Sequence, residues 1–264
     1  MELQFKVGND ALFKGKKIIG VMSGKGGVGK STVSALFAVY LQQIKGIPTG
    51  MVDVDFTGSS QGKIFDVHPP IEVADGDKLV PKDSKSGVKV MSLSLLLDDP
   101  EKPVIWRAPI MNKALTQFFE DTVWDDVQWL IVDLPPGTSD IPLSLMQKIP
   151  VTGFFLVTST QDLVKTIVAK TMNMAKMLNK KVLGVVENYG YYKCPSGEIV
   201  YPFGKGKTEE VCQSWNIPFM GRLPIDPRFS EYSDRGELYK IFDEMPEIKD
   251  VFENMYTIVE KEGT

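Results

Sequence analysis

Short, wholly apolar runs alternate with amphipathic stretches along most of this chain. Ile18, Ile19, Val21 and Met22 form the first run, and VSALFAVYL soon after it has the character of a buried helix. Further strand-like runs fall at Thr49–Val54, Val88–Leu97, Trp129–Val132, Gly153–Thr158 and Val182–Val186. Between them, Ile110–Phe119, Ser139–Lys148 and Asp162–Leu178 space their apolar residues as helices do. The stretch from Ala74 to Gly87 is rich in Asp, Lys and Ser and reads as loop. Apolar strands alternating with helices predict an α/β fold, a mostly parallel sheet with helices on both faces. No internal repeat interrupts the pattern. A single domain over residues 1–264 is therefore expected, with 1–16 as a lead-in segment.

A sheet of this kind binds its ligand beyond the C-terminal ends of its strands. The chain sets its chemically pointed residues there. Lys25 and Lys30 follow the first run, Asp53 and Asp55 the second, Asp133 follows WLIV and Asn188 follows VLGVV. Four strand ends converging on one edge predict a site.

Charge and composition narrow the partners. The net charge is −4 and the Lys and Arg residues are scattered, so the basic face of a nucleic-acid binder is not expected. No run approaches the ~20 apolar residues of a membrane span. The opening residues, MELQFKVGNDALFKGKK, lack the apolar core of a secretory leader. With Cys194 and Cys212 as its cysteines, the chain is expected in the reducing cytoplasm, with neither nucleic acid nor membrane as partner.

The chemistry begins at Gly24–Ser31, GKGGVGKS, which matches the phosphate-binding loop G-x-x-x-x-G-K-[ST] between a strand and a helix. Gly24, Gly26, Gly27 and Gly29, with Val28 between the last two, let backbone N–H groups turn toward phosphates. The helix N-terminus at Lys30, Ser31 and Thr32 adds free N–H groups and partial positive charge. Lys30 is expected on the β and γ phosphates of ATP and the Ser31 hydroxyl on Mg²⁺. In DLPPGTSD, Asp133 can hold Mg²⁺ through water, and Pro135, Pro136 and Gly137 impose a stiff turn near the γ-phosphate. In DVDFTGSS, Asp53 and Asp55 are two carboxylates two residues apart at a strand end, a catalytic pair or a solvated one. Asn188 offers a donor and an acceptor to adenine, though an Asn at a strand end also reads as a turn residue.

Lys25 narrows the match, because a plain phosphate loop does not need it. GKGGVGKS resembles the deviant Walker A loop of MinD, ParA, the arsenite-pump ATPase and the nitrogenase iron protein. IWRAPIMNKALTQFF, DLPPGTSDIPLSL, VVENYGYYKCP and GRLPIDPRFSEYSDRGE extend the likeness over nearly the whole chain, to the Mrp/ApbC branch of those P-loop ATPases. The resemblance implies a homodimer holding two ATPs, with Lys25 reaching the partner's nucleotide. It implies slow, Mg²⁺-dependent hydrolysis, with Asp55 activating the water and Asp53 supporting the metal. It raises Asn188 as the contact to the base. It further implies carriage of an iron–sulfur cluster for delivery to an apo client or assembly protein, through a C-x-x-C pair from each subunit.

At that pair the chain departs from the resemblance. The segment reads Cys194-Pro195-Ser196-Gly197, so each subunit offers one thiol where the branch offers two. A cluster normally takes four thiolates. Cys194 is thus either a cluster ligand or a plain loop residue, and Cys212, in TEEVCQSW, reads as a small buried hydrophobe on a helix. Ser59 and Ala108 also stand where relatives often carry Pro and Gly. A second reading is a MinD- or ParA-like regulatory or scaffold ATPase that binds no cluster. The acidic tail MPEIKDVFENMYTIVEKEGT does not suit an anionic membrane. His68 reads as a loop residue, Met172, Met174 and Met177 as a packed helix face, Trp124 and Trp129 as core or interface, and Lys205 and Lys207 as loop leading into a helix.

Overall fold

The computed structural model describes residues 13–56, 58–96, 108–138, 140–160 and 164–262. Its strands are β1 (Lys17–Ser23), β2 (Thr49–Asp53), β3 (Glu72–Ala74), β4 (Lys78–Val80), β5 (Lys82–Asp83), β6 (Lys89–Ser92), β7 (Trp129–Asp133), β8 (Gly153–Ser159), β9 (Lys181–Lys193), β10 (Ile199–Val200) and β11 (Phe219–Pro224). Its α-helices are α1 (Lys30–Val39), α2 (Gln61–Ile64), α3 (Ala108–Phe119), α4 (Asp140–Lys148), α5 (Val164–Leu178), α6 (Thr208–Ser214), α7 (Pro227–Asp234), α8 (Ile241–Glu244) and α9 (Lys249–Glu262).

The main sheet runs β10-β9-β8-β1-β7-β2-β6-β5, with β11 also paired to β9. Every pairing among β6, β2, β7, β1, β8, β9 and β11 is parallel, and the edge strands β5 and β10 are antiparallel. Side chains of successive strand residues point to opposite faces. In β1, Ile19 and Val21 enter one core layer, and Ile18 and Met22 the other. In β8, Phe155 and Val157 join the first layer, Phe154 and Leu156 the second. Helices α1, α8 and α9 cover the first face, and α3, α4 and α5 the second. Aromatic edges set the first layer, with Phe37 against Phe155 and Trp129, and Tyr40 against Phe242.

The connection leaving β1 goes to one side, to β2, while β8 and β9 lie on the other. The chain therefore diverges at the C-terminal end of β1, where a parallel sheet opens its crevice. Register completes the placement, since Asp133 is the Cα partner of both Val21 and Asp53.

Several expectations need correction. The strand expected at Val182–Val186 continues to Lys193, so Asn188 lies inside β9 opposite Ser159, the last residue of β8. Polar residues from Glu187 onward broke the apolar run, while pairing with β11 and β10 carries the strand on past an irregularity at Tyr189, where φ is +58°. The loop expected at Ala74–Gly87 contains an antiparallel β3–β4 pair and β5. The strand expected at Val88–Leu97 ends at Ser92 and passes into a 3₁₀ turn at Leu93–Leu96, with Leu97 outside the described residues. Ser139 and Asp162, expected to begin helices, also lie outside them. Met174 packs in the core, but Met177 on the same helix is 75% exposed. Trp124 and Trp129 are buried as expected, and α6 follows Lys205 and Lys207. Among the described residues no helix is long and apolar enough to cross a membrane.

Candidate functional site

The loop leaving β1 is shaped by its glycines. Gly29 has φ +77°, a conformation that disfavours any Cβ. A Cβ there would also lie 2.2 Å from Nδ2 of Asn188. At Gly24 a Cβ would fall 2.2 Å from Ile167 on α5, so close helix packing requires glycine at that end too. Helix α1 then starts at Lys30 with no side-chain cap, and its first N–H groups face the loop. An open cleft of about 330 Å³ lies over Gly26, Gly27, Gly29, Lys30, Ser31 and Thr32, reached also by Asp55 and Pro136. A second cavity of about 230 Å³ adjoins it, lined by Thr32, Leu36, Asn188, Tyr189 and Phe229.

Lys30 is buried and its Nζ donates to Asp133 Oδ1 at 2.6 Å. It lies 3.6 Å from Asp55 Oδ2 and 3.3 Å from the Ser31 hydroxyl. Burial disfavours its charge, but Asp133, Asp55 and Asp53 outweigh that and raise its pKa above the ordinary lysine value. Ser34, one helical turn along α1, donates to the same Asp133 oxygen at 2.8 Å. Gln61 on α2 donates through Nε2 to Asp133 Oδ2 at 2.8 Å and to the carbonyl of Ser31 at 2.9 Å. Its Oε1 is buried without a protein partner. Such an orphaned acceptor costs about 1–3 kcal/mol.

Asp53, expected on the metal side, is the Cα partner of Asp133 in the sheet. It is fully buried, and its oxygens accept from the N–H groups of Asp55, Ser60 and Gln61 and the hydroxyls of Ser59 and Ser92, at 2.8–3.1 Å. A direct metal bond would have to displace those donors. Burial and the neighbouring Asp133 push its pKa up to about 6, against the pull of the donated hydrogen bonds. Its carboxylate organises the turn that brings Asp55 to Lys30 and Gln61 to Asp133. Ser59, where the resemblance leads one to expect proline, is one of the donors.

Lys25 is half-buried in the loop, and its carbonyl accepts from the Ser23 hydroxyl at 2.8 Å. Asn188 is buried and donates through Nδ2 to the carbonyl of Val28 at 3.0 Å, which leaves its Oδ1 for a ligand. Gly137 N–H donates to the carbonyl of Ser23 at 2.7 Å, pinning the Pro-rich turn to the end of β1. The loop, Asp53, Asp55, Asp133 and Asn188 thus meet at one end of the sheet. A separate cavity of about 610 Å³ beside Lys176 and Trp215 contains none of them.

Sequence reasoning missed Ser34, Gln61, Ser92 and Tyr189. Ser34 was findable, as the residue one turn beyond Lys30 on the same helix face. Gln61 and Ser92 belong to no motif and meet the site only through tertiary packing.

Cys194 sits apart, half-exposed in the turn joining β9 to β10. Gly197 N–H donates to the Cys194 carbonyl, and Cys194 N–H to the Glu198 carbonyl, both at 2.8 Å. Gly197 has φ +87° and open space where a Cβ would go. The neighbouring Ile199, Tyr201 and Phe203 are exposed. Cys212 is buried, and burial, with Glu187 and Glu209, pushes its thiol up to about 11. Among the described residues no group of three or more His, Cys, Asp or Glu is placed to hold a metal ion.

Sheet topology and loop geometry define a P-loop nucleotide-binding protein. Residues 14–260 match the family model described as ParA, NUBPL iron-transfer P-loop NTPase, and the chain belongs to that family. It is 39% identical over 248 residues to an iron–sulfur cluster carrier protein of Clostridium perfringens, covering 91% of this chain and 87% of the relative. It is 42% identical over 224 residues to a protein of the same name from Aquifex aeolicus; the match covers 84% of this chain and 61% of that longer relative. A nucleotide-binding protein from Archaeoglobus fulgidus, solved in complex with ADP, superposes with a TM-score of 0.77 at 35% identity, covering 89% of this chain and 93% of that one.

Proposed function

We propose that this chain is a homodimeric, ATP-switched carrier of iron–sulfur clusters that acts in the cytoplasm. The observation that carries the switch is Lys30, held between Asp133 and Asp55 at the mouth of a glycine-lined cleft with a base-sized cavity beside it. The loop N–H groups from Gly24 to Thr32 cradle the phosphates, and Lys30 leaves Asp133 for the β and γ oxygens. An all-oxygen donor set, the Ser31 hydroxyl and Asp133 carboxylate, suits a hard cation such as Mg²⁺. Asp53 supports the metal from behind, through the turn it organises. Bound Mg²⁺ supplies charge neutralisation between the β and γ phosphates. Asn188 Oδ1 accepts from the adenine amino group. Asp55 orients the attacking water and takes its proton as the bond from γ-phosphorus to the ADP oxygen breaks. Lys25 acts across the dimer on the partner's nucleotide.

The cluster is cargo. Each subunit contributes one thiolate, Cys194, so a symmetric dimer supplies two of the four a cluster normally takes. The others come from the client or from a small thiol. The likeness to cluster carriers over most of the chain supports this reading. The two free cysteines fit a reducing compartment. Gly197 in place of a second cysteine favours the other reading, a dimeric switch without cargo.

One experiment separates the two. Wild type and Cys194→Ala are reconstituted anaerobically with iron and sulfide, and iron content and visible absorbance are measured. Cargo carriage predicts substoichiometric, chelator-labile iron that falls to background in Cys194→Ala. Equal iron in both proteins overturns it. In the same preparations Asp55→Ala should bind ATP within a few-fold of wild type while hydrolysis drops about 100-fold, the usual scale for loss of a general base.

A further inference from the structure

Gln61 opens α2, eight residues beyond Asp53, and is completely buried. Both hydrogen bonds from its Nε2 go to groups that only accept, the Ser31 carbonyl and the Asp133 carboxylate beside Lys30. The amide therefore has one allowed orientation, because turning it would face oxygen to oxygen. That orientation leaves Oε1 as a buried acceptor with no protein partner. Its two partners belong to the residues assigned to Mg²⁺, namely Ser31 and Asp133. Bound Mg²⁺ keeps several of its waters, and each is a strong donor.

We propose that Gln61 is a positioning residue for the metal. Its Oε1 accepts from a water on the Mg²⁺ of the bound nucleotide, while its Nε2 holds Asp133 and the Ser31 main chain in place. The inference rests on the Mg²⁺–nucleotide reading of the site and adds a residue outside every motif of the sequence. It also gives α2 a direct link to nucleotide state. With the metal bound, Gln61 Oε1 gains the hydrogen bond it lacks.

The test is calorimetric titration of ADP into the full-length protein, with EDTA and then over a series of Mg²⁺ concentrations. The variant is Gln61→Met, which keeps the volume and removes the amide. The expected result is about tenfold more Mg²⁺ needed to reach the tight-binding state, on top of a smaller loss of ADP affinity in EDTA that reflects the missing Nε2 bonds. A merely structural role would lower the affinity equally with and without metal. An unchanged Mg²⁺ midpoint, or an equal loss with and without metal, overturns the role of Gln61. If Gln61→Met does not fold, Gln61→Asn carries the same expectation, since it keeps the amide but withdraws the acceptor by one methylene. Wild-type affinity that ignores Mg²⁺ altogether would instead overturn the metal–nucleotide reading itself.

Discussion

At the phosphate cleft, Lys30, Asp133, Ser34, Gln61 and Asp53 are buried and hold one another through bonds mostly of 2.6–3.1 Å, all supplied by one subunit. At the Cys194 turn the thiol stands half-exposed among solvent-facing Ile199, Tyr201 and Phe203, opposite a glycine with no side chain. One region is built to hold its geometry before any ligand comes. The other leaves a thiol half-exposed in a turn, with a glycine where a second cysteine would stand. On the proposed reading, the chain would supply the phosphate cleft itself, Lys25 apart, and its cargo position would be completed by a second molecule.

That contrast can be broken at its strongest point first. Lys30→Ala should cost about 10³-fold in ATP affinity by calorimetry, because charge-assisted bonds to phosphate are worth about 1.5–3 kcal/mol each. It also leaves Asp133 and Asp55 without their cation, so the Tm should fall. ATP affinity unchanged in a folded variant would mean the cleft is not the site.

The cysteines sharpen the comparison next. With its pKa raised to about 11 by burial, Glu187 and Glu209, the Cys212 thiol is roughly 10⁻³ ionised at pH 8, and thiolate is the reactive form. Iodoacetamide at pH 8 should label Cys194 at least about 100-fold faster, read by peptide mass spectrometry. Raising the pH toward 11 should narrow the gap. Comparable rates at pH 8 would remove the distinction between an available thiol and a packed one.

The smallest effect is expected from Gly197→Cys. Space is open there, but φ +87° strains any residue with a Cβ by about 1–3 kcal/mol. The variant should retain more iron after anaerobic reconstitution while losing at least about 2–4 °C in Tm. No gain in iron would show that Cys194 does not mark the cargo position.

Much of this was legible in the chain. Parallel buried strands announce themselves as continuous apolar runs, which is why β1, β2, β7 and β8 fall within a residue or two of their expected bounds. The phosphate loop and Asp133 were readable because their chemistry fixes both residue type and spacing. β9 was cut short because Glu187, Asn188 and the tyrosines after them carry no apolar pattern, and only pairing with β8, β10 and β11 keeps them in the strand. Gln61 was invisible for a related reason. A lone glutamine carries no periodicity, and its meaning comes from a carboxylate 72 residues away. Asp53 shows the limit of motif reasoning, since two carboxylates in one motif have opposite surroundings, one spent on its own turn and the other beside the lysine.

The Lys30–Asp133 pair has a consequence for discrimination among anions. An empty cleft with a bare ammonium would be a general trap for phosphate, sulfate or carboxylate. Here the ammonium already rests on an internal carboxylate at 2.6 Å, so any small anion must displace an intramolecular rival whose effective concentration is high. A lone phosphate has only the loop to compensate for that exchange. On the proposed reading, a nucleoside triphosphate would add the helix N-terminus, the neighbouring cavity and a metal that would give Asp133 a new countercharge. On that reading the resident carboxylate would filter ligands by length and charge, keeping the lysine in reserve for a molecule that can satisfy both sides of the pair at once.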